Sequence, residues 1–343
     1  MTDSIPSVPW RPSASIEALH LRAKLLKRVR NYFESLNYTE VQTPIISRDT
    51  TIDRWLEPIT IASAASASQR RPATPVFLQT SPEFAMKRLV AAGMGSIYQI
   101  CPAFRSGEYG QRHNPEFTII EWYGVNEDFD DGMTTLAGLC QTLLKERLDV
   151  LDPIRISYRD AFIQYAGLDP FAASMEQIRN YCQKERLGIP DGFDPNDRDS
   201  WLDVILSEKV QIKLGFDEDN QTRLRPTILY HYPASQSALS KVVEQSYGQV
   251  AQRFELFVGG VELANGYDEL ADADELARRH ELTNRQRIAD GNKPLPPDAI
   301  LIDALRSGFP PCTGCALGFD RAVMLAYGTR NLSDVLAFDW ERA

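Results

Sequence analysis

Gly259-Gly260 lies inside a strand-like stretch, 250–267, and a two-glycine turn of this kind closes an antiparallel hairpin. A second strand-like pair, 97–104 and 117–125, is joined by the charged loop SGEYGQRHNPE and reads as another hairpin. Hairpins connect neighbouring strands directly, whereas a parallel sheet needs a long crossover between each pair. Helical spacing predicts helices over 16–36, 82–93 and 268–290, and one more beginning near Asp320. In the first of these, Leu19, Ala23, Leu26, Val29, Arg30 and Phe33 lie near one face. The middle region, 130–215, reads as mostly helical with a break near 190–199, followed by a strand at 226–232. Residues 291–299 read as a Pro/Gly loop, and 314–319 as a Gly-rich strand. Strands and helices do not alternate regularly, so the expected fold class is α+β, an antiparallel sheet flanked by helices.

The chain has 343 residues, enough to bury a large core without disulfides or metal. It contains no apolar run long enough to span a bilayer. The start, MTDSIPSVPWRPSAS, lacks the basic and apolar regions of a secretory signal, so a cytoplasmic location is expected. Residues 1–15 read as a flexible lead-in and 61–75 as a flexible surface loop inside one domain, 16–343. The net charge of −10 argues against a phosphate-gripping surface, because nucleic-acid affinity comes largely from basic side chains. Cys312 and Cys315 form a CxxC, but the other three cysteines are scattered singly. Zinc needs a second ligand pair, so free thiols are expected.

Several segments could carry chemistry. Alternation places Phe117, Ile119, Glu121 and Tyr123 on one strand face. Glu121 then either decorates a solvated face or, if buried, meets a cation. Arg105 at a strand end, with Arg112 and His113 beyond it, can clamp phosphate or carboxylate oxygens, or belong to an ordinary charged loop. Pairing Val258 with Val261 sets Phe257 opposite Glu262 and Glu255 opposite Ala264. Glu255 and Glu262 become diagonal neighbours, and two such carboxylates suit Mg²⁺ bridged to phosphates. Asn265, Tyr267 and Glu269 follow where this strand breaks. Small residues in Gly314-Cys315-Ala316-Leu317-Gly318 let a ligand lie against the backbone, with Arg321 opening the next helix.

In order along the chain, these segments resemble the three motifs of class II aminoacyl-tRNA synthetase catalytic cores. Asn37-Tyr38-Thr39-Glu40-Val41-Gln42-Thr43-Pro44 is similar to motif 1, Phe104-Arg105 through Phe117 to motif 2, and 314–321 to motif 3. Thr80-Ser81-Pro82-Glu83 with Lys87-Arg88-Leu89, RHNPEFT, and 260–270 resemble the lysyl subgroup. The resemblance covers about residues 16–330. It begins at residue 16, which leaves no room for the N-terminal anticodon-binding domain of lysyl-tRNA synthetases. The architecture is similar to the paralogous family that attaches (R)-β-lysine to elongation factor P.

That resemblance implies ATP and Mg²⁺ as cofactors, elongation factor P as protein acceptor, an amino acid as small-molecule substrate, and no tRNA or membrane partner. It implies a homodimer through the helix 16–36 and Pro44. It further implies Arg105 on the substrate carboxylate and α-phosphate, His113 and Arg321 on the outer phosphates, and Phe117 against adenine. Motif 2 often carries Glu two residues after its Arg; here that place is Gly107, so Glu108 is assigned to the adenine amino group. Glu255 and Glu262 are the implied metal ligands. Ser81, Glu83, Glu121, Tyr123, Asn265, Tyr267 and Glu269 are the implied amino-acid contacts. Ala316 stands where lysyl-type synthetases have Gly, and its methyl group narrows the pocket floor toward a β-amino substrate. A truncated synthetase, a ligase with another acceptor and a non-catalytic regulatory paralogue remain as alternatives.

Overall fold

The computed structural model describes residues 10–61, 76–147, 149–189, 193–220 and 222–343. Most of the expected lead-in (1–9) and loop (62–75) lies outside them. The helices are α1 (Ile16–Ser35), α2 (Glu83–Ala91), α3 (Phe129–Leu144), α4 (Tyr158–Ala166), α5 (Met175–Glu185), α6 (Arg198–Ile205), α7 (Ala273–Ala289), α8 (Ala299–Ser307) and α9 (Phe319–Tyr327). The strands are β1 (Thr39–Glu40), β2 (Ile46–Ser47), β3 (Thr60–Ile61), β4 (Val76–Leu78), β5 (Ile97–Phe104), β6 (Glu116–Val125) and β7 (Ile154–Ser157). They continue with β8 (Thr227–Pro233), β9 (Val242–Gln245), β10 (Gly248–Val258), β11 (Val261–Asp268) and β12 (Cys312–Gly318).

One large sheet runs β1-β5-β6-β12-β11-β10-β8-β7, with β9 added to β10. Its interior pairs are antiparallel, while the two ends, β1 on β5 and β7 on β8, are parallel. Both expected hairpins form: β5 with β6, and β10 with β11 across the two glycines at φ +60° and +72°. Such values suit glycine because a Cβ is strained there. The principal core lies between one sheet face and α1, α3 and α9, with Trp122, Phe254, Leu256, Leu317 and Phe319 fully enclosed. A second core joins α4, α5 and α6 to β8 and β10.

The differences from sequence expectation have local causes. The α1 stripe is Ala18, Leu25, Val29 and Phe33; Ala23 and Arg30 face outward, and Arg30 pairs with Glu40. Residues 268–290 do not form one helix. Asp268 still pairs with Thr313 in the sheet, and α7 begins after Asp272, whose side chain caps Asp274 and Glu275. Helix α8 follows the 291–299 loop because Asp298 caps it, and β7 interrupts the helical middle region. Within the lead-in, Ser13 and Ala14 bond to the backbone of Ala337 and Leu336, and Ser15 caps α1.

Candidate active site

The sheet face opposite the principal core lines a cavity of about 1200 Å³. Every residue named above as a catalytic, substrate, nucleotide or metal candidate contributes to its wall. Strand β6 supplies Phe117, Ile119, Glu121 and Tyr123 by simple alternation, while Ile120 and Trp122 enter the core. Strand β12 runs beside it, with Gly314 opposite Tyr123 and Ala316 opposite Glu121. Gly314 cannot carry a side chain. A Cβ there falls 2.0 Å from Glu269 Oε1 and 2.6 Å from the Tyr123 ring.

The pairing of β10 with β11 corrects one sequence expectation. Phe257 does face Glu262, but Glu255 faces Asn265, not Ala264, because a bulge shifts the register beyond Phe257. An extra residue in one strand reverses the alternation. Glu262 before the bulge and Asn265, Tyr267 and Glu269 after it therefore line the same cavity, while Leu263 and Ala264 pack into the core.

One end of the cavity is an acidic pocket. Glu121 is 2% exposed; Ser81 Oγ donates to its Oε2 at 2.6 Å and Tyr123 OH to its Oε1 at 2.7 Å. Burial, then the neighbouring Glu83, push the Glu121 carboxyl up to about 8. Lys87 lies behind the pocket wall, its ammonium 2.6 Å from Glu83 Oε1 and 2.6 Å from Glu269 Oε2. Burial opposes that charge, but Glu269 and Glu83 together hold the ammonium above the ordinary lysine range. Burial likewise raises Glu269 to about 7, although Lys87 opposes the shift. Sequence reasoning had given Lys87 no role. The signal was its spacing, four residues after Glu83 on one helix, which makes the two side chains neighbours. Asn265 adds a buried Oδ1 that has no hydrogen-bond partner among the described residues.

The other end is cationic and open. The Arg105 guanidinium lies 4.9 Å from the centre of the Phe117 ring and 3.5 Å from Glu108. It thus covers one face of the ring assigned to adenine. Arg321 donates to the Glu262 backbone oxygen at 3.0 Å and to the Arg112 oxygen at 3.2 Å. Its Nη2 lies 2.7 Å from His113 Nε2. Burial and the Arg321 charge lower the His113 pKa, so the imidazole is neutral and accepts from Arg321. Asp320, beside Arg321, pins α9 by accepting from Arg22 and from the Thr118 amide.

Between the two ends stand Glu255 and Glu262. Both Glu255 oxygens are engaged: Arg253 pairs with Oε1, and Tyr232 OH donates to Oε2 at 2.6 Å. Burial, then Glu255, raise Glu262 to about 7. No cluster of three metal-ligating side chains occurs among the described residues. The pair still fits Mg²⁺, which commonly takes one or two carboxylates and completes its shell with water and substrate phosphates. A cation there relieves the repulsion that raises Glu262. Arg253 and Tyr232 had been given no role in the sequence reading, although Arg253 shares a strand face with Glu255.

The sequence profile of the class II tRNA synthetases (D, K and N) matches residues 7–342. An elongation factor P–(R)-beta-lysine ligase of Photobacterium profundum is 42% identical over 333 residues, covering 97% of this chain and 98% of its own length. The enzyme of that name from Vibrio atlanticus is 41% identical over 335 residues, with 97% and 99% covered. Its counterpart from Salmonella typhi is 40% identical over 335 residues, with 97% and 98% covered. With near-complete coverage in both directions, and the motif residues around one cavity, the chain belongs to the class II synthetase family and, within it, to the elongation factor P–(R)-β-lysine ligases.

Proposed function

We propose that this protein activates (R)-β-lysine with ATP and transfers it to a lysine ε-amine of elongation factor P. The carrying observation is the charge in the buried pocket. Glu83 and Glu269 share one Lys87, and Glu121 is held only by Ser81 and Tyr123, which leaves two negative charges when all are ionised. A diamino acid supplies two ammonium groups. A substrate lacking either amine leaves a carboxylate buried without a counter-charge, so the pocket discriminates strongly. In the free protein the elevated Glu121 holds a proton near neutrality and releases it as the substrate ammonium arrives.

In the first step a substrate carboxylate oxygen bonds to the α-phosphorus of ATP, and pyrophosphate leaves. Arg105 neutralises the charge developing on the substrate carboxylate and α-phosphate. Arg321 and neutral His113 hold the outer phosphates, Phe117 packs on the base, and Glu108 accepts from its amino group. Glu262 and Glu255 would hold Mg²⁺, which would supply charge neutralisation at the phosphates. In the second step the unprotonated acceptor amine attacks the acyl carbon, forming an amide and releasing AMP. The methyl of Ala316, between Glu121 and Asn265 in the sheet, narrows the floor where the amino-bearing carbon lies.

The reaction is assigned to the cytoplasm, where ATP and a translation factor meet. The net charge of −10 supports a protein acceptor over tRNA. A homodimer through the motif 1 region is supported by Ile45 and Ile46, which are 40% and 51% exposed just after Pro44. Sedimentation at about twice the 38.7 kDa chain mass is expected. The function is tested by ATP–pyrophosphate exchange with β-lysine and α-lysine, followed by transfer to purified elongation factor P. Exchange that prefers β-lysine, with mass added to the factor, is expected. Efficient charging of tRNA together with no transfer to the factor refutes the reading.

A further inference from the structure

Helix α7 turns a buried stripe, Ala273, Leu276 and His280, toward α2 and α8. His280 is the anomaly in it, a polar residue where the packing calls for an apolar one. It is 6% exposed, and its Nε2 has no hydrogen-bond partner among the described residues. A buried ring nitrogen left without a partner is destabilising, and a leucine or phenylalanine at the same place avoids that cost. The imidazole is not sealed in the core, however. It lines the same cavity as Glu83, Glu121 and Glu269. Its ring centre is 6.0 Å from that of Phe84, the residue that follows Glu83 on α2. Burial, then the charge of Lys87, lower its pKa to about 4, so the ring stays neutral and one nitrogen remains an acceptor. The charge that acts on it is that of Lys87 from α2, which in turn pairs with Glu83 and Glu269; Glu275 and Arg279 stand on its own helix and line the same cavity.

We propose that His280 is a further specificity-determining residue, whose imidazole accepts a hydrogen bond from the distal ammonium of the amino-acid substrate beside Glu83 and Glu269. This rests on the reading of the cavity as a diamino-acid site, and it assigns one end of that site to a residue outside the three motifs. The carboxylates supply charge, which attracts any cation. The imidazole supplies a neutral, directional acceptor at the far end, which measures where the second amine stands.

The test is pyrophosphate exchange with (R)-β-lysine and with (R)-3-aminohexanoate, the same carbon chain without the distal amine. His280→Phe is expected to raise KM for β-lysine about tenfold with kcat little changed, and to leave KM for the monoamine unaltered. His280→Met, a flexible apolar replacement, should do the same if the phenylalanine variant folds poorly. His280→Gln restores an acceptor and should recover most of the loss. Thermal unfolding of each variant reports the fold. A KM that rises equally for both compounds, or for neither, overturns the proposal and makes His280 a packing residue. If the wild-type protein supports no exchange with β-lysine, the functional reading has failed and takes this inference with it.

Discussion

Replacing Lys87 by methionine removes the cation from the acidic pocket while keeping its bulk. Lys87 is 2% exposed and its ammonium lies 2.6 Å from each of Glu83 and Glu269, so nothing in solvent can substitute for it. Breaking a buried ion pair by deleting one partner costs about 3–5 kcal/mol, because the remaining charge stays buried and unpaired. Against a folded-state stability of about 5–15 kcal/mol, that loss is large and measurable. Its pH dependence is specific. Glu269 sits at about 7 in the folded protein, above its ordinary carboxylate value, so the native state binds the extra proton between those limits. Its contribution to stability is therefore fully present below the unfolded pKa and lost as pH rises through about 7. Without Lys87 the folded pKa climbs further, and the decline continues to higher pH. Urea unfolding at about pH 5.5 and about pH 8 should show a small Lys87→Met deficit at the lower pH and about 3–5 kcal/mol at the higher. Adding Glu269→Gln should recover most of that deficit. Equal destabilisation at the two pH values, or less than about 1 kcal/mol at the higher, refutes the reasoning.

Gly314→Ala places a methyl 2.0 Å from Glu269 Oε1 and 2.6 Å from the Tyr123 ring, so both side chains must shift. The KM for the amino acid is expected to rise on the order of tenfold or more in pyrophosphate exchange, with the KM for ATP nearly unchanged. Protons compete with Mg²⁺ for Glu262, which burial and Glu255 raise to about 7. Apparent Mg²⁺ affinity should therefore weaken by about tenfold per unit as pH falls below that value. Glu262→Gln should lower the affinity and abolish this slope; an unchanged slope contradicts the assignment.

Much of the site is legible because its chemistry is carried by short, contiguous segments. Alternation along β6 aims Glu121 and Tyr123 together, and two glycines fix the turn between β10 and β11. Helix α1 was legible as a helix and in much of its facing, since Val29 and Phe33 are buried and Leu19 and Leu26 pack against the core. That Ala18 and Leu25 enter the core while Ala23 and Arg30 face outward is decided by packing against α3 and α9, which local spacing does not encode. Helix α8 and strand β7 were missed for a similar reason, since short elements depend on a cap or on a neighbouring strand. His280 and Lys87 escaped because their significance lies in what surrounds them.

By itself the sequence determined the hairpins, the antiparallel character of the sheet's interior and the residue types that can hold phosphates, a metal and a diamine. These follow from turn geometry and side-chain chemistry, which act over a few residues. The tertiary structure decided which of those residues meet. The bulge opposite Phe257 reverses the parity of β11, and only through it do Glu262, Asn265, Tyr267 and Glu269 share one wall. The position of α2 decides that Lys87, already beside Glu83 by its spacing, also answers Glu269. Register and helix docking are settled by packing across the whole sheet, and that balance is not written in any local stretch of the chain.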